Sequence, residues 1–416
     1  SGFHHGLASL SSVLKMHFNT FNMLFYLKKS NIASVSKEII KFDPCIVLIT
    51  SCTGQINIVS SFLKSLKIFS SKSFVIVGGP HASALPEETL NLHGVDAVCI
   101  GEGEIPLKLF MEKYFNGDDY TSTPGLWFKS EKGEVIKNRK QCVINPDDLP
   151  FPDRELFVFQ NFINSMPDEV GPEFIGSRGC VFSCSYCAAE TIHGKGIRYR
   201  SPSNLIKEIK SVINRYSGIN FIGFHDNVFT YNKDWLYEFC GRYRKEIRIP
   251  FWCNTRVDCL TESDIKLLKK SFCRRIHMGI ESGSERIRKH ILKRNISSQT
   301  IINVFDCVKK HGIRAVAFNM IGLPTETEED IKSTVFLNRV IRPSWIILSV
   351  FQPLPGTDIF AFCAKKPGFK AQTAEDYYTC NTILGQPSVS EEKVKYYYEN
   401  FIRLVYEKTS DIKVVK

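Results

Sequence analysis

At 416 residues, 43% hydrophobic and 23% charged, the chain can bury a full core and form two or three domains, which excludes a disordered polypeptide. Its formal charge of +11 is spread over helix-like segments with no nucleic-acid motif, so no nucleic-acid partner is expected and an anionic, small-molecule or lipid-like substrate stays open. No run approaches the roughly 18 uninterrupted apolar residues of a membrane helix, no signal sequence is seen, and 14 cysteines suit a reducing compartment, so a cytoplasmic protein without a transmembrane segment is expected.

From the N-terminus, apolar spacing predicts a helix over Leu7–Lys15, a strand-like run over Phe21–Leu27, a helix near Ser34–Phe42 and a strand over Cys45–Thr50. A helix over Ile56–Phe69, a strand over Phe74–Val77, a helix near Pro86–Leu92, a strand over Ala97–Ile100 and a helix over Ile105–Phe115 follow. Apolar strands between amphipathic helices imply a doubly wound, parallel α/β sheet that holds ligands at the carboxyl ends of its strands. The turns at those ends are Thr50-Ser51, Gly78-Gly79-Pro80-His81 and Gly101-Glu102-Gly103-Glu104. Glycines there admit positive φ and let a ligand approach the backbone, although such turns occur in any nucleotide-binding sheet. Cys45, Cys52, Cys99 and Cys253 lie in strand-like runs and read as buried small apolar side chains.

A hairpin around Lys132-Gly133 and a proline-rich stretch over 145–157 mark a linker, with a boundary near Pro150. Beyond it lies RGCVFSCSYCA, in which Cys180, Cys184 and Cys187 are separated by three and then two residues. Three thiolates on one short loop can hold three irons of a [4Fe-4S] cluster and leave the fourth open to a small molecule with amino and carboxylate groups. Structural zinc needs a fourth ligand, for which His193 is the nearby candidate. Tyr186, directly before the third cysteine, can pack over the cofactor. Arg178, Arg198 and Arg200 flank the loop and either face an anionic assembly or form ordinary salt bridges.

From about Gly171 the alternation resumes with a strand, the cysteine loop, a helix over Asn204–Tyr216, a strand over Phe221–Phe224 and a helix over Trp235–Lys245. Strands over Phe251–Asn254, Ile276–Ile280, Ala315–Met320 and Trp345–Val350 follow, with helices over Ser263–Lys270, Ser298–Lys310 and Glu328–Arg339 between them. Six βα units suit a partial barrel with its chemistry at the carboxyl ends of the strands. The last part is aromatic and helical, and Tyr396–Phe401 serve either the core or a lid over an apolar substrate.

The CxxxCxxC loop with its aromatic resembles the radical S-adenosylmethionine (SAM) superfamily. GFHDNVFTYNKDW (223–235), FWCNTRVDCL (251–260), RIHMGIESGSERI (275–287), NMIGLPTETEEDI (319–331) and FQPLPGTDIF (351–360) follow in the order that family shows. With the glycine turns upstream, the chain looks like the class in which a cobalamin-binding domain precedes the radical domain. That resemblance implies a Rossmann-like cobalamin-binding domain over 1–140, a linker over 141–170, a partial (β/α)6 barrel over 171–364 and a helical extension over 365–416. It implies a [4Fe-4S] cluster on the three cysteines, SAM on the open iron, cobalamin, and a reductant such as flavodoxin or ferredoxin.

By the same resemblance, Glu281 and Ser282 match the ribose-contact position, while Asp226 and Asn227 stand where relatives place the motif that meets the SAM amino group, with turn capping as the alternative for Asp226. Arg256 faces the SAM carboxylate or neutralises an acid. Gly322 and Pro324 shape the turn near adenine, with Thr325 where relatives have glycine. Thr50, Ser51, Gly78, Gly79, Pro80, His81, Gly101, Glu102 and Gly103 line the cobalamin cavity. The DxHxxG string whose histidine ligates cobalt in other cobalamin proteins is missing, His4 and His5 are out of register for it, and an expected first strand is not seen. The implied function is a cobalamin-dependent radical SAM enzyme that modifies an unactivated carbon, most simply by methyl transfer. A cyclase like the anaerobic magnesium-protoporphyrin ester cyclase, or a non-catalytic cluster module, is the alternative.

Overall fold

In the computed structural model, which describes residues 3–20, 22–69, 72–130, 132–140, 144–366, 369 and 388–407, the chain builds two sheets in succession. The first contains β1 (Ile46–Thr50), β2 (Phe74–Gly78), β3 (Ala97–Cys99), β4 (Leu126–Lys129) and β5 (Val135–Lys137), in that spatial order. β1 to β3 are parallel, and β4 and β5 continue antiparallel. Val47, Val75, Val77 and Val98 pack on one face against helices Ile32–Phe42 and Ile56–Phe69. Ile76, Ala97 and Cys99 pack on the other against helices His5–His17 and Glu104–Asn116. Each buried valine or isoleucine contributes about 1.5–3 kcal/mol, so both helical layers are firmly seated.

Three expectations change here. Residues 22–27 form no strand: Phe25 and Leu27 pack against the sheet core and Met23 and Tyr26 face solvent, but the backbone has no ladder to join, and Phe21 lies outside the described residues. The hairpin around Lys132-Gly133 forms, yet it extends the first sheet, with Trp127 opposite Val98. Cys45 and Cys52 are exposed because they sit just beyond the ends of β1, whereas Cys99 and Cys253 are buried.

The second sheet follows from β6 (Glu173–Phe174). A two-stranded hairpin of β7 (Ser177–Cys180) and β8 (Gly196–Tyr199) then carries the cysteine loop. The sheet resumes with β9 (Ile222–Phe224), β10 (Phe251–Arg256), β11 (Cys273–Glu281), β12 (Arg314–Ile321) and β13 (Trp345–Val350), all parallel in the order β13-β12-β11-β10-β9-β6. Phe224, Cys253, Ile276, Met278 and Ala317 turn outward onto the helices. Helices Pro202–Arg215, Lys233–Glu246, Glu262–Lys270, Ser298–Lys310 and Glu328–Ile341 are capped by Ser201, Asn232, Thr261, Ser297 and Thr327, each accepting a hydrogen bond from a first-turn N–H. Such caps are worth about 1 kcal/mol each and fix where the helices start.

On the concave side Trp252 stacks on His277 with ring centroids 4.6 Å apart. A Cβ at Gly223 would lie 2.5 Å from that indole, so glycine is what lets the tryptophan lie flat. Burial, with a lesser push from Arg275, takes His277 down to about 3 and keeps it neutral.

The C-terminal helix Glu391–Tyr406 buries Val394, Tyr397, Phe401 and Val405 against Ile321, Ile331, Val335, Ile346 and Val350. Tyr396 is exposed, one position off the apolar stripe, so the packing falls on Tyr397 and Phe401. Residues 367–368, 370–387 and 408–416 of the expected extension lie outside the described residues. No helix among the described residues is long and apolar enough to cross a membrane.

Candidate active site in the cleft between the two sheets

The cysteine loop is pinned at both ends. At its start, the buried Asp226 carboxylate accepts from Gly176 N–H at 3.0 Å and from the Ser177 hydroxyl at 2.5 Å, while Asn227 Nδ2 donates to the Gly179 carbonyl at 3.0 Å. Burial raises the Asp226 carboxyl to about 6, against the opposing effect of those hydrogen bonds. At the far side, the Ser185 hydroxyl donates to the Ile291 carbonyl at 2.5 Å and Ser185 N–H to Leu292 O at 3.2 Å. Tyr186 packs against Leu292, Met320, Leu323 and Phe351 and donates its hydroxyl proton to Glu281 Oε1 at 2.9 Å.

Two guanidinium groups converge on Cys184. Arg256 is held by Asp258 at 3.0 and 2.8 Å, lies 3.7 Å from the Phe182 ring centroid, and points its remaining nitrogen at Cys184 Sγ, 3.2 Å away. Arg294 reaches the same sulfur at 3.9 Å, Tyr186 Oη at 3.3 Å and the Gly279 carbonyl at 2.8 Å, and lies 3.8 Å from Glu281. Burial pushes the Cys180 and Cys187 thiols up, so metal loading there releases protons. Glu281 ends β11 with φ +68, a left-handed conformation costly for a non-glycine residue, and burial raises its carboxyl.

The donor set distinguishes a cluster from zinc. Among the described residues, the one group of His, Cys, Asp and Glu ligand atoms lying within 4.8 Å of one another is Glu262, Cys307 and His311, so the triad's sulfurs stand wider apart than one ion's ligand sphere. His193, the fourth ligand zinc would need, belongs to no such group with the triad, and its Nδ1 meets Glu102 at 2.7 Å. Three thiols spread in this way suit a four-iron cluster.

Ser282 is fully buried, its hydroxyl 3.4 Å from Thr334 Oγ1 and accepting from Ser284 N–H at 3.2 Å. In the GLPTE turn, Gly322 has φ +78 and Thr325 φ +63, and Pro324 is buried. Glu326, unremarked in the sequence, holds the turn by accepting from Gly322 N–H at 2.6 Å and Leu323 N–H at 3.1 Å. Burial raises it to about 8, against those two bonds. An acid two positions after Gly-Leu-Pro was the signal available for it.

Facing the hairpin is a cleft of about 360 Å³. Thr50, Gly78, Gly79, Pro80 and the turn Gly101–Gly103 form one wall. Ser177, Arg178, Gly179, His193, His225 and Asn227 form the other. Gly79 has φ +94, and a Cβ there would strike Thr50 Oγ1 at 2.5 Å and Ser51 N at 2.9 Å. Ser51 and His81 are buried, Ser51 accepting from His81 N–H at 3.0 Å. His4 accepts from Leu7 N–H at 3.2 Å as a helix cap, and His5 lines the cleft with a buried Nε2 that has no partner. Sequence reasoning also missed His225, which meets Glu173 at 3.0 Å; burial lowers its pKa, but that carboxylate outweighs burial and the net shift is upward. The three flanking arginines form salt bridges: Arg178 and Arg198 to Glu102, and Arg200 to the buried Glu208.

The sequence profile of the Radical SAM superfamily matches residues 174–337, and that of the B12 binding domain matches residues 3–110. The chain belongs to the radical SAM enzymes that carry a cobalamin-binding domain, a class whose cofactors are a [4Fe-4S] cluster, SAM and cobalamin, and it has the fold of the cobalamin-dependent methyltransferases among them. It is 28% identical over 393 residues to an uncharacterized methyltransferase of Pyrococcus horikoshii, covering 94% of this chain and 84% of that one. It is 23% identical to the anaerobic magnesium-protoporphyrin IX monomethyl ester cyclase of Rubrivivax gelatinosus, covering 78% of this chain and 60% of that one. The radical SAM methyltransferase TsrM of Kitasatospora setae, solved with cobalamin and a [4Fe-4S] cluster bound, superposes with a TM-score of 0.70 at 15% identity, over 86% of this chain and 71% of that one. A second structure of TsrM holds tryptophan and a SAM analogue.

Proposed function

We propose that the chain is a radical SAM C-methyltransferase acting on an unactivated carbon of a small molecule bound in the cleft. One observation carries this reading: the hairpin that bears the three cysteines and the glycine turns of the first sheet are opposite walls of a single cleft. When bound, the cluster with SAM would supply a 5'-deoxyadenosyl radical and cobalamin a transferable methyl group.

The chain's own residues divide the remaining work. Cys180, Cys184 and Cys187 hold the cluster, with Arg256 and Arg294 facing Cys184. Glu281, at the strained end of β11, and the GLPTE turn braced by Glu326 lie beside Tyr186 and are assigned to SAM, while Asp226 and Asn227 anchor the hairpin. Gly78, Gly79, Pro80 and Thr50, where not even a Cβ has room at Gly79, are assigned to cobalamin. His225, whose pKa Glu173 raises against the opposing effect of burial, stands on the cleft wall and is assigned to an anionic group of the substrate. Val181 and Cys187 are exposed, which leaves the loop open to a flavodoxin- or ferredoxin-type donor, and 12 free cysteines among the described residues fit a cytoplasmic setting.

The test is anaerobic reconstitution with iron, sulfide and cobalamin, followed by dithionite and SAM with a labelled methyl group. Iron–sulfur absorbance, 5'-deoxyadenosine and label in the product are expected. Zinc in place of iron, or no 5'-deoxyadenosine, sinks the reading. A cyclase, suggested by the Rubrivivax relative, would form 5'-deoxyadenosine and leave the product unlabelled.

A further inference from the structure

We infer that the acidic turn after β3 and the hairpin β7–β8 form a clasp that fixes the distance and orientation between the two cofactor sites, which makes Glu102, Glu104, Arg178 and Arg198 positioning residues. The inference rests on the two-cofactor reading above and adds to it the device that aligns the sites.

The contacts are dense and cross from one sheet to the other. Arg178, two residues before Cys180, bridges Glu102 at 3.2 Å and Glu104 at 2.7 Å. Ser9, on the first helix, joins the same group, donating to Glu104 at 2.7 Å. Arg198, on the return strand of the hairpin, grips both oxygens of Glu102 and also donates to the Ile144 carbonyl at 2.7 Å. His193, on the short helix that follows the cysteine loop, takes Glu102 Oε1 at 2.7 Å. Both Glu102 oxygens are therefore spent on the hairpin, which removes Glu102 from the group of side chains available to grip cobalamin.

The backbone fits equally closely. Gly101 has φ +79, and a Cβ there would lie 2.9 Å from the Ile192 carbonyl, so the turn touches the helix Ala189–His193 directly. On the other side of that helix, a Cβ at Gly356 would meet Ala84 at 3.1 Å and Thr191 at 3.3 Å. The segment just past Cys187 is thus wedged between both sheets.

The physical logic separates this from a surface ion pair. Glu104 is 6% exposed, Glu102 16% and Arg178 20%, so the charges are poorly screened and removing one partner leaves an uncompensated charge in a confined space. A planar guanidinium fork also fixes direction as well as distance, which an ammonium does not. Rigid support of this kind is what reacting groups on two separate elements need, since small misplacements cost large factors in rate.

Two measurements on the full chain test the clasp. Hydrogen exchange without cofactors is expected to quicken at least tenfold for amides of 101–104 and 189–199 in Glu102→Gln and in Arg198→Lys, with helix Ser298–Lys310 unchanged; unaltered exchange at the hairpin would overturn the proposal. In loaded protein, cobalt(II) cobalamin and the reduced cluster are both paramagnetic, and their dipolar coupling reads the separation. The unaltered chain should give one narrow distance, and the variants, at equal cluster and cobalamin content, a broader or longer distribution. Identical distributions refute the positioning role. Arg198→Lys keeps the charge and serves if Glu102→Gln does not fold. An unaltered chain that takes up neither cofactor counts against the proposed function, and the exchange result still decides the clasp.

Discussion

The cleft's first wall, on the N-terminal sheet, is shaped by backbone: Gly79 at φ +94 lies against Thr50, and the turn beyond β3 carries Gly101 at φ +79. The facing wall, with Ser177, Arg178 and Gly179, runs into the cysteine loop, and charged side chains hold that loop: Asp226 at its start, Arg256 and Arg294 at Cys184, and Glu281 at Tyr186. The contrast teaches that the two cofactor sites fail in different ways. The first wall should be sensitive to added atoms, the second to lost charges or lost hydrogen bonds.

The largest expected effect falls on the charged wall. Cys184→Ala removes the sulfur on which Arg256 and Arg294 converge, and iron content and 5'-deoxyadenosine formation should both drop to background, measured by metal analysis and chromatography. If iron stays at full occupancy, this triad is not the cluster site. Gly79→Ala should cost about 2–4 kcal/mol from strain and overpacking. It should weaken cobalamin binding at least tenfold in an optical titration while cluster content stays normal. A matching loss of cluster would erase the distinction between the walls.

A smaller and pH-dependent effect belongs to Glu326, whose carboxyl sits near 8 in the folded chain against an ordinary 4.5. Because that value is raised, its stabilising contribution is complete below about 4.5 and is lost as pH rises through about 8. Glu326→Gln keeps an acceptor for Gly322 and Leu323 without an ionisation to suppress, so its unfolding midpoint should exceed that of the unaltered chain above pH 8, by thermal melts across the range. Glu326→Ala removes the carboxylate to which Gly322 N–H and Leu323 N–H donate and should lose about 2–3 kcal/mol at neutral pH. The smallest effect is Thr325→Gly, which relieves φ +63 and should gain about 0.5 kcal/mol after the entropy of the unfolded glycine is counted. A loss there would mean that the contacts of Thr325 with Arg286 outweigh the strain.

Thr325 shows how far reading along the chain goes. Its place in the GLPTE turn was legible, but that the turn demands a left-handed residue there, braced by Arg286 and Glu326, was not. The run Phe21–Leu27 has strand composition and forms none, since composition does not say whether a ladder partner is available. The π-helical turn Ile287–Ile291 and the hairpin around the cysteines also went unseen, because each depends on contacts with distant segments, such as Ser185 with Ile291.

The sequence by itself determined what is local. The spacing of three cysteines, the apolar runs of the strands, the Ser, Thr and Asn caps, and the glycines at strand ends all act within a few residues, so neighbours along the chain suffice to express them. Only the tertiary structure decided which charges meet. Glu102 and Arg198 are 96 positions apart, and Glu281 and Tyr186 are 95 apart. No local rule pairs such groups, and their pairing follows from the folding of two sheets against each other, which excludes water and leaves each buried charge to find its counter-charge there.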